Sequence, residues 1–113
     1  MHEFSIATSI VEAALSCAKK NNAKKIASLE LEVGEMAGVI FEALDFAMQS
    51  AVKDTILEEA EIIVHKISAI AKCNACGNEF PVENFYDNCP LCAEFNPEII
   101  KGKELKIKSM YVD

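Results

Sequence analysis

The sequence of 113 residues lacks tryptophan and contains only four glycines and three prolines. This scarcity, together with a hydrophobic fraction of 51%, excludes a low-complexity or disordered chain and favours a folded core. No apolar run reaches the roughly 18 residues that a membrane-spanning helix needs. The amino-terminal stretch carries Glu3 and Glu12 where a secretory signal would carry positive charge, so we expect a cytoplasmic protein without a membrane span.

Positive charge is also scarce. Eleven lysine and arginine residues stand against 18 acidic residues, which gives a formal net charge of −7. The segment from Ala71 to Lys101 contains two basic and five acidic residues, whereas nucleic-acid-binding modules carry a basic footprint. The sequence also lacks a GxxxxGK[ST] phosphate loop and a nucleophile paired with a base. We therefore expect neither nucleic-acid binding nor catalysis.

Cysteine supplies the strongest motif. Four of the five cysteines form two CxxC pairs separated by twelve residues: Cys73, Cys76, Cys89 and Cys92. Zn²⁺ prefers four ligands at tetrahedral angles, and two tight turns can each present two thiolates to one ion. Gly77 after the first pair and Pro90 inside the second suit such turns. The spacing predicts a structural zinc site with four cysteine ligands.

Three other uses of paired cysteines compete with a zinc site. Disulfides need an oxidising compartment, which nothing in the sequence indicates. Two CxxC pairs at this spacing also disfavour thioredoxin-like redox dithiols. Iron is the closest competitor, because CxxCG and CPxC turns resemble those of rubredoxin and four thiolates suit iron as well as zinc. Two functions of the whole protein thus remain open at this point. With iron it would be a rubredoxin-like electron carrier, and with zinc alone it would be a purely structural zinc-ribbon adaptor.

Two segments show helical periodicity. From Phe4 to about Asn21 the apolar residues recur at the spacing of one buried helix face: Ala7, Ile10, Val11, Ala14, Leu15 and Ala18. We expect Ser5 to cap this helix and Cys17 to lie beside the buried face as a small hydrophobic residue. A second amphipathic helix is predicted from Ile40 to about Val52, with its apolar face formed by Ile40, Phe41, Leu44, Ala47, Met48 and Ala51. Phe41, Phe46 and Met48 are interpreted as core residues rather than as a ligand pocket.

Three segments indicate strands. Residues Lys25 to Val33 alternate, and the predicted buried face contains Ala27, Leu29, Leu31 and Val33. Glu61 to Ala71 is rich in isoleucine and valine, and a third strand with a bulge is predicted after Gly102. His65, inside the second strand, is predicted to be hydrogen-bonded or exposed to solvent.

The predicted fold class is α+β, with two helices on a three-stranded sheet and an inserted tetracysteine zinc ribbon. The predicted domains are a discontinuous α+β domain of residues 1–70 and 100–113, and a zinc ribbon of residues 71–99.

The amino terminus offers a second metal site. His2 can supply its imidazole nitrogen and its own amide nitrogen, and Met1 can supply the terminal amine. The amide of Glu3 would complete four nitrogens in a plane, a geometry that suits Ni²⁺ or Cu²⁺ better than Zn²⁺. Because binding displaces protons from these nitrogens, affinity is expected to fall in acid.

Several stretches in this order resemble the HypA/HybF family of nickel metallochaperones. They are Met1 to Ile6, Val33 to Val39, the two CxxC pairs and Gly102 to Leu105, so the resemblance covers essentially the whole chain. One departure is Ala93, where family members commonly have glycine after the second CxxC pair. A second departure is that no histidine flanks the cysteines.

The resemblance implies a site for each of two metals. Ni(II), the transported ion, would be held by the terminal amine of Met1, by His2 and by the backbone of Glu3, and structural Zn(II) by the four paired cysteines. It implies a role in maturation of nickel-iron hydrogenase and, in some organisms, urease. The implied partners are the nickel-handling GTPase HypB, the precursor of the hydrogenase large subunit and, where urease is the target, urease accessory proteins.

Overall fold

A computed structural model of the chain describes residues 3–84, 87–94 and 97–112. These residues form two helices, α1 and α2, and six strands, β1 to β6. Their bounds in chain order are α1 Glu3–Lys20, β1 Ile26–Gly34, α2 Phe41–Ala51, β2 Glu61–Ile67, β3 Ile70–Lys72, β4 Glu79–Pro81, β5 Glu98–Lys101 and β6 Leu105–Val112. The predicted α+β class is confirmed: two helices accompany a mixed three-stranded sheet of order β2-β1-β6, and the cysteines lie with a second sheet of order β4-β3-β5.

The chain divides into two compact units. The first unit contains residues 1–32, 39–65 and 106–113, and the second contains residues 33–38 and 66–105. The sequence-based division, with boundaries at 70/71 and 99/100, stays a prediction. No helix among the described residues has the length and apolarity to cross a bilayer.

The core of the first unit follows the helical and strand periodicities. α1 buries Ala7, Ile10, Val11, Ala14 and Ala18, and it packs against α2. β1 buries Leu29, Leu31 and Val33, and α2 buries Leu44, Ala47 and Met48. Most of the predicted residues are buried, since side chains on one face recur every three to four residues in a helix and every two in a strand. Leu15, Phe41 and Ala51 are only half-buried. Ile40 and Phe46 are exposed, so their predicted burial is wrong.

Some details of the first unit differ from expectation. Ser5 does not cap α1, because the helix already includes Glu3 and Ser5 lies inside its first turns. Cys17 is exposed rather than packed beside the buried face. Ala27 is exposed as well, because Ile26 takes the buried position at the start of β1.

Glu30 joins the three strands of the first sheet. Its carboxylate lies 2.6 Å from Nε2 of His65 on β2 and accepts a hydrogen bond of 2.9 Å from Ser109 on β6. The bond from His65, followed by that from Ser109, lowers the pKa of Glu30 below its ordinary value of 4.5. The prediction that His65 is a hydrogen-bonded residue is confirmed.

The prediction of one continuous strand from Glu61 to Ala71 is wrong, because the segment is divided between two strands. β2 ends at Ile67 and β3 begins at Ile70 in the second sheet. Between them the backbone N–H of Ala69 donates to the Glu35 carboxylate at 2.9 Å, and the carbonyl of Ala69 accepts from Val82. The backbone donor between the two strands is thus bound by a side chain from a distant segment. No pattern within residues 61–71 indicates this contact.

The second unit is built around β3. This strand pairs antiparallel with both β4 and β5, and its register with β5 shifts between Ile70 and Ala71. β4 and β5 were not predicted, because strands of three and four residues are too short to show alternation. The predicted final strand is present as β6, and its bulge stays a prediction.

Candidate metal centre

The four paired cysteines converge in the second unit. Their sulfur atoms all lie within 4.8 Å of one another. The shortest separations join opposite pairs, with 3.4 Å between Sγ of Cys73 and Sγ of Cys92 and 3.6 Å between those of Cys76 and Cys89. Among the described residues this is the one group of three or more metal-ligating side chains with such proximity.

Two turns of similar construction, called knuckles here, present the sulfurs. In the first knuckle the backbone N–H of Gly77 donates to the carbonyl of Cys73 at 2.9 Å. In the second, Ala93 donates to the carbonyl of Cys89 at 2.8 Å. Gly77 and Ala93 both have positive φ, at 78° and 61°. Each knuckle therefore folds back directly after its second cysteine and directs both thiols to the same side.

The first knuckle follows β3 without a linker, since β3 ends at Lys72. Cys73 and Cys89 are buried with the apolar residues of the second unit, whereas Cys76 and Cys92 are exposed. That apolar cluster also contains Ala71, Phe80 and Val82 and is covered by Met36 and Ile99. The small core and the sulfur cluster are thus continuous, so loss of the cluster removes part of the core.

Backbone N–H groups make the buried thiols acidic. Burial opposes ionisation of Cys89, yet the N–H groups of Cys92 and Leu91 and the neighbouring thiols lower its pKa to about 6. The N–H of Cys76 is the main cause of a lowered pKa at Cys73. Each knuckle therefore holds one thiol that ionises readily.

The exposed thiols behave in the opposite way. Although the N–H of Glu94 favours the Cys92 thiolate, the sulfur of Cys73 and partial desolvation of the thiol raise the pKa of Cys92 to about 12. The N–H of Asn78 likewise favours the Cys76 thiolate, but partial desolvation and the sulfurs of Cys73 and Cys89 raise the pKa of Cys76. Protons are hard to remove here because each ionisation adds negative charge beside another sulfur. A divalent cation would neutralise this repulsion.

The donor set decides the chemistry of the centre. Four converging sulfurs fit a tetrahedral ion that accepts thiolates, which means zinc or iron. Four protein ligands also leave no open position for a substrate or a water molecule. The arrangement is therefore that of a structural site.

The residues predicted to hold nickel are placed only in part. Met1 and His2 lie outside the described residues, and Glu3 is the first residue of α1. The Glu3 carboxylate accepts a hydrogen bond of 3.1 Å from the backbone N–H of Ile40. Ile40 is the N-cap of α2, and its own side chain makes no capping bond there. Glu3 thus supplies a cap to α2 from another helix.

Comparison with known proteins places the chain in a family. The sequence model described as "Hydrogenase/urease nickel incorporation, metallochaperone, hypA" matches residues 1–112. The chain belongs to the HypA family. It is 38% identical over 113 residues to "Hydrogenase maturation factor HypA" of Chlorobaculum parvum, covering 100% of both chains. The protein of the same description from Parabacteroides distasonis is 42% identical over 112 residues, with 99% of this chain and 97% of that protein covered.

A solved structure supports the same fold. The solution structure of the Ni metallochaperone HypA from Helicobacter pylori aligns with a TM-score of 0.72 at 24% identity. The alignment covers 99% of this chain and 97% of that one. Membership of the HypA family makes the chain a nickel metallochaperone of hydrogenase maturation with a non-catalytic role, and the converging cysteines give it a tetracysteine site.

Two features of the site lay beyond sequence reasoning. The glutamate of the family-like stretch from Val33 to Val39, Glu35, holds the N–H of Ala69 at the entrance to β3. Asn78 directs its side-chain amide toward the sulfur of Cys89 at 3.9 Å. Both residues lie within or directly after motifs that the sequence shows, but polar residues at turns are too common to be singled out there.

Proposed function

We propose that this chain carries Ni(II) as its cargo at the amino terminus and holds Zn(II) as a structural ion in the cluster of Cys73, Cys76, Cys89 and Cys92. The nickel ligands are the terminal amine of Met1, the imidazole and amide of His2, and the backbone nitrogen of Glu3. The family match over residues 1–112 carries the proposal, because it includes the amino terminus together with both CxxC pairs.

The chemistry of the two donor sets supports this assignment. Nitrogen donors in a plane suit Ni²⁺, and four thiolates at tetrahedral angles suit Zn²⁺. The observed S–S separations of 3.4 and 3.6 Å between the two knuckles are compatible with four sulfurs around one ion. The two metals thus have separate donor sets, and four thiolates leave no open position on the zinc ion.

The family match also supports a delivery route. The chain takes part in hydrogenase maturation in the cytoplasm, exchanging nickel with the GTPase HypB and supplying the precursor of the hydrogenase large subunit. In organisms with urease, urease accessory proteins take the same place.

His2→Ala tests the nickel site, and His65→Ala is its matched control because the chain has two histidines. We expect His2→Ala to abolish tight nickel binding in calorimetry of the untagged protein while zinc stays at one ion per chain. His65→Ala should keep nickel affinity. Unchanged nickel affinity in His2→Ala would refute the proposed ligand set.

The Glu3 nitrogen can be tested separately from the Glu3 carboxylate. Glu3→Pro removes the amide proton that nickel must displace, and proline is tolerated in the first turn of a helix. We expect weaker nickel binding in Glu3→Pro than in Glu3→Ala, which keeps the amide and, like Glu3→Pro, lacks the carboxylate that bonds to Ile40. Equal affinities would exclude this nitrogen as a ligand. Metal analysis of the same samples separates zinc from a coloured iron centre.

A further inference from the structure

The exposed face of α2 carries a large apolar side chain among polar ones. Its exposed residues recur at intervals of three and four, so they form one stripe: Glu42, Asp45, Phe46 and Gln49. Phe46, in the middle of this stripe, is 68% exposed, and Ile40 just before the helix is 59% exposed. An exposed aromatic side chain bordered by polar residues is typical of protein interfaces. The four stripe residues are called the α2 face below.

The charge on this part of the chain has one sign. From Ile26 to Val52 the sequence contains no lysine or arginine, while it contains the acids Glu30, Glu32, Glu35, Glu42 and Asp45. No basic residue lies in the last turn of α2. Asp45 accepts a hydrogen bond of 3.3 Å from Gln49, which is neutral and leaves the carboxylate charge uncompensated. Two carboxylates therefore flank Phe46 without a neighbouring cation from their own helix.

We propose that the α2 face docks a basic helix of a partner protein, with lysine or arginine side chains opposite Glu42 and Asp45 and an apolar pocket for Phe46. Opposite charges guide and orient such an encounter, and the buried aromatic ring supplies most of the affinity. A second copy of this chain is disfavoured as the occupant, because it would bring the same two carboxylates against each other. An anionic membrane surface is repelled for the same reason.

The position of the α2 face connects it to the proposed function, on which this part of the inference rests. Glu3 lies directly after His2 in sequence, and its carboxylate bonds to the N–H of Ile40 at 3.1 Å. The start of α1 is therefore fixed at the start of α2. A partner that docks on the α2 face is brought to the end of the chain at which nickel is proposed to bind, so the partner is one that gives or receives nickel.

The surface itself can be tested with a defined probe. The probe is a synthetic amphipathic helix made of leucine and lysine, and the matched peptide replaces lysine with glutamate. We expect the lysine peptide to shift the backbone amide resonances of residues 40–49 in the intact protein, and the glutamate peptide to have no effect. Phe46→Ala, and Glu42→Lys combined with Asp45→Lys, should each weaken binding about tenfold.

Two control variants carry the same kinds of substitution outside α2. Ile56→Ala removes another exposed apolar side chain, and Glu58→Lys combined with Glu59→Lys reverses two acids outside α2. Both controls should retain peptide affinity. Equal losses in controls and α2 variants, or shifts spread over other surfaces, would overturn the proposal. Concentration-dependent self-association that Phe46→Ala abolishes would identify a second copy as the occupant and would also overturn it.

The link to delivery needs a separate measurement. Cells that depend on this chain for hydrogenase activity should lose that activity with Phe46→Ala, although the purified variant binds nickel with unchanged affinity. His2→Ala should instead lose nickel affinity and keep peptide binding. Full hydrogenase activity in Phe46→Ala cells would overturn the docking role without affecting the nickel site. Unchanged nickel affinity in His2→Ala would overturn the nickel site without affecting the docking surface.

Discussion

Ala93 adopts in the second knuckle the left-handed backbone conformation that Gly77 adopts in the first. Their φ angles are 61° and 78°, and each donates its N–H to the carbonyl of the cysteine four residues earlier. Glycine reaches this conformation at little cost, whereas a residue with a Cβ is strained by about 1–2 kcal/mol. This explains why glycine is suited to the position at which this chain has Ala93.

The strain at Ala93 can be relieved. Ala93→Gly should stabilise the zinc-bound second unit by about 0.5 kcal/mol, because the relief of strain exceeds the entropy that glycine adds to the unfolded chain. Gly77→Ala should destabilise it by about 1 kcal/mol, although no heavy atom lies within 4 Å of the added Cβ. Zinc retention against a competing chelator at increasing urea measures both effects. A loss of stability in Ala93→Gly would contradict this explanation.

Gly34 is required for a different reason. A Cβ at Gly34 would lie 2.0 Å from the carbonyl oxygen of Gly102, so the backbone itself would have to move. We expect Gly34→Ala to lower the free energy of unfolding by about 3 kcal/mol. Gly38→Ala is the control, since Gly38 has positive φ but open space around it, and it should cost about 1 kcal/mol. Urea unfolding followed by circular dichroism would compare the two, and equal costs would exclude the steric explanation.

Acid should weaken the first sheet through Glu30. Its pKa is lowered in the folded protein, first by His65 and then by Ser109, so the carboxylate stabilises the fold at pH values above the ordinary 4.5. That contribution is lost as the pH falls below 4.5 and through the lowered value. Ser109→Ala and His65→Ala should therefore each reduce the acid dependence of the urea midpoint. An acid dependence identical to that of the unmodified protein in both variants would exclude this network as its source.

Removal of zinc should affect the two units unequally. Cys73 and Cys89 are part of the apolar cluster of the second unit, so Cys73→Ser should lose zinc and unfold residues 71–99. The buried faces of α1 and β1 belong largely to the first unit and should keep their amide protection. Hydrogen exchange, with Cys17→Ser as control because Cys17 is exposed, measures this difference. Persistent protection of residues 71–99 in metal-free Cys73→Ser would contradict the structural role of zinc.

The parts of the fold that the sequence predicts are those in which a single segment carries the signal. The apolar faces of α1 and β1 repeat with a fixed period, and the CxxC spacing follows from the geometry of one metal ion. The break after Ile67 is different, because it depends on the carboxylate of Glu35, more than thirty residues earlier. β4 and β5 depend on pairing with β3 rather than on their own composition. Contacts of this kind are properties of the folded chain, and local periodicity does not contain them.

The candidate site shows the same distinction. The two CxxC motifs and their spacing predict all four sulfur ligands. The differences in pKa among the four thiols depend instead on which of them accept hydrogen bonds from backbone N–H groups. The cap that Glu3 provides to α2 likewise joins residues 37 positions apart. An acidic residue at the start of a helix is ordinary in sequence, and its second role becomes visible only in the structure.

Gly102 packs so closely on Ala69 that a Cβ added to it would lie 2.6 Å from the Ala69 Cα atom. The chain thus enters and leaves the segment of residues 70–101 at neighbouring points. Closing so long a loop costs little more than closing a short one once its ends are held together. The segment is therefore an insertion whose two ends are adjacent. A shorter turn, or a different small module with adjacent ends, fits the same position without a change in the paths of β2 and β6.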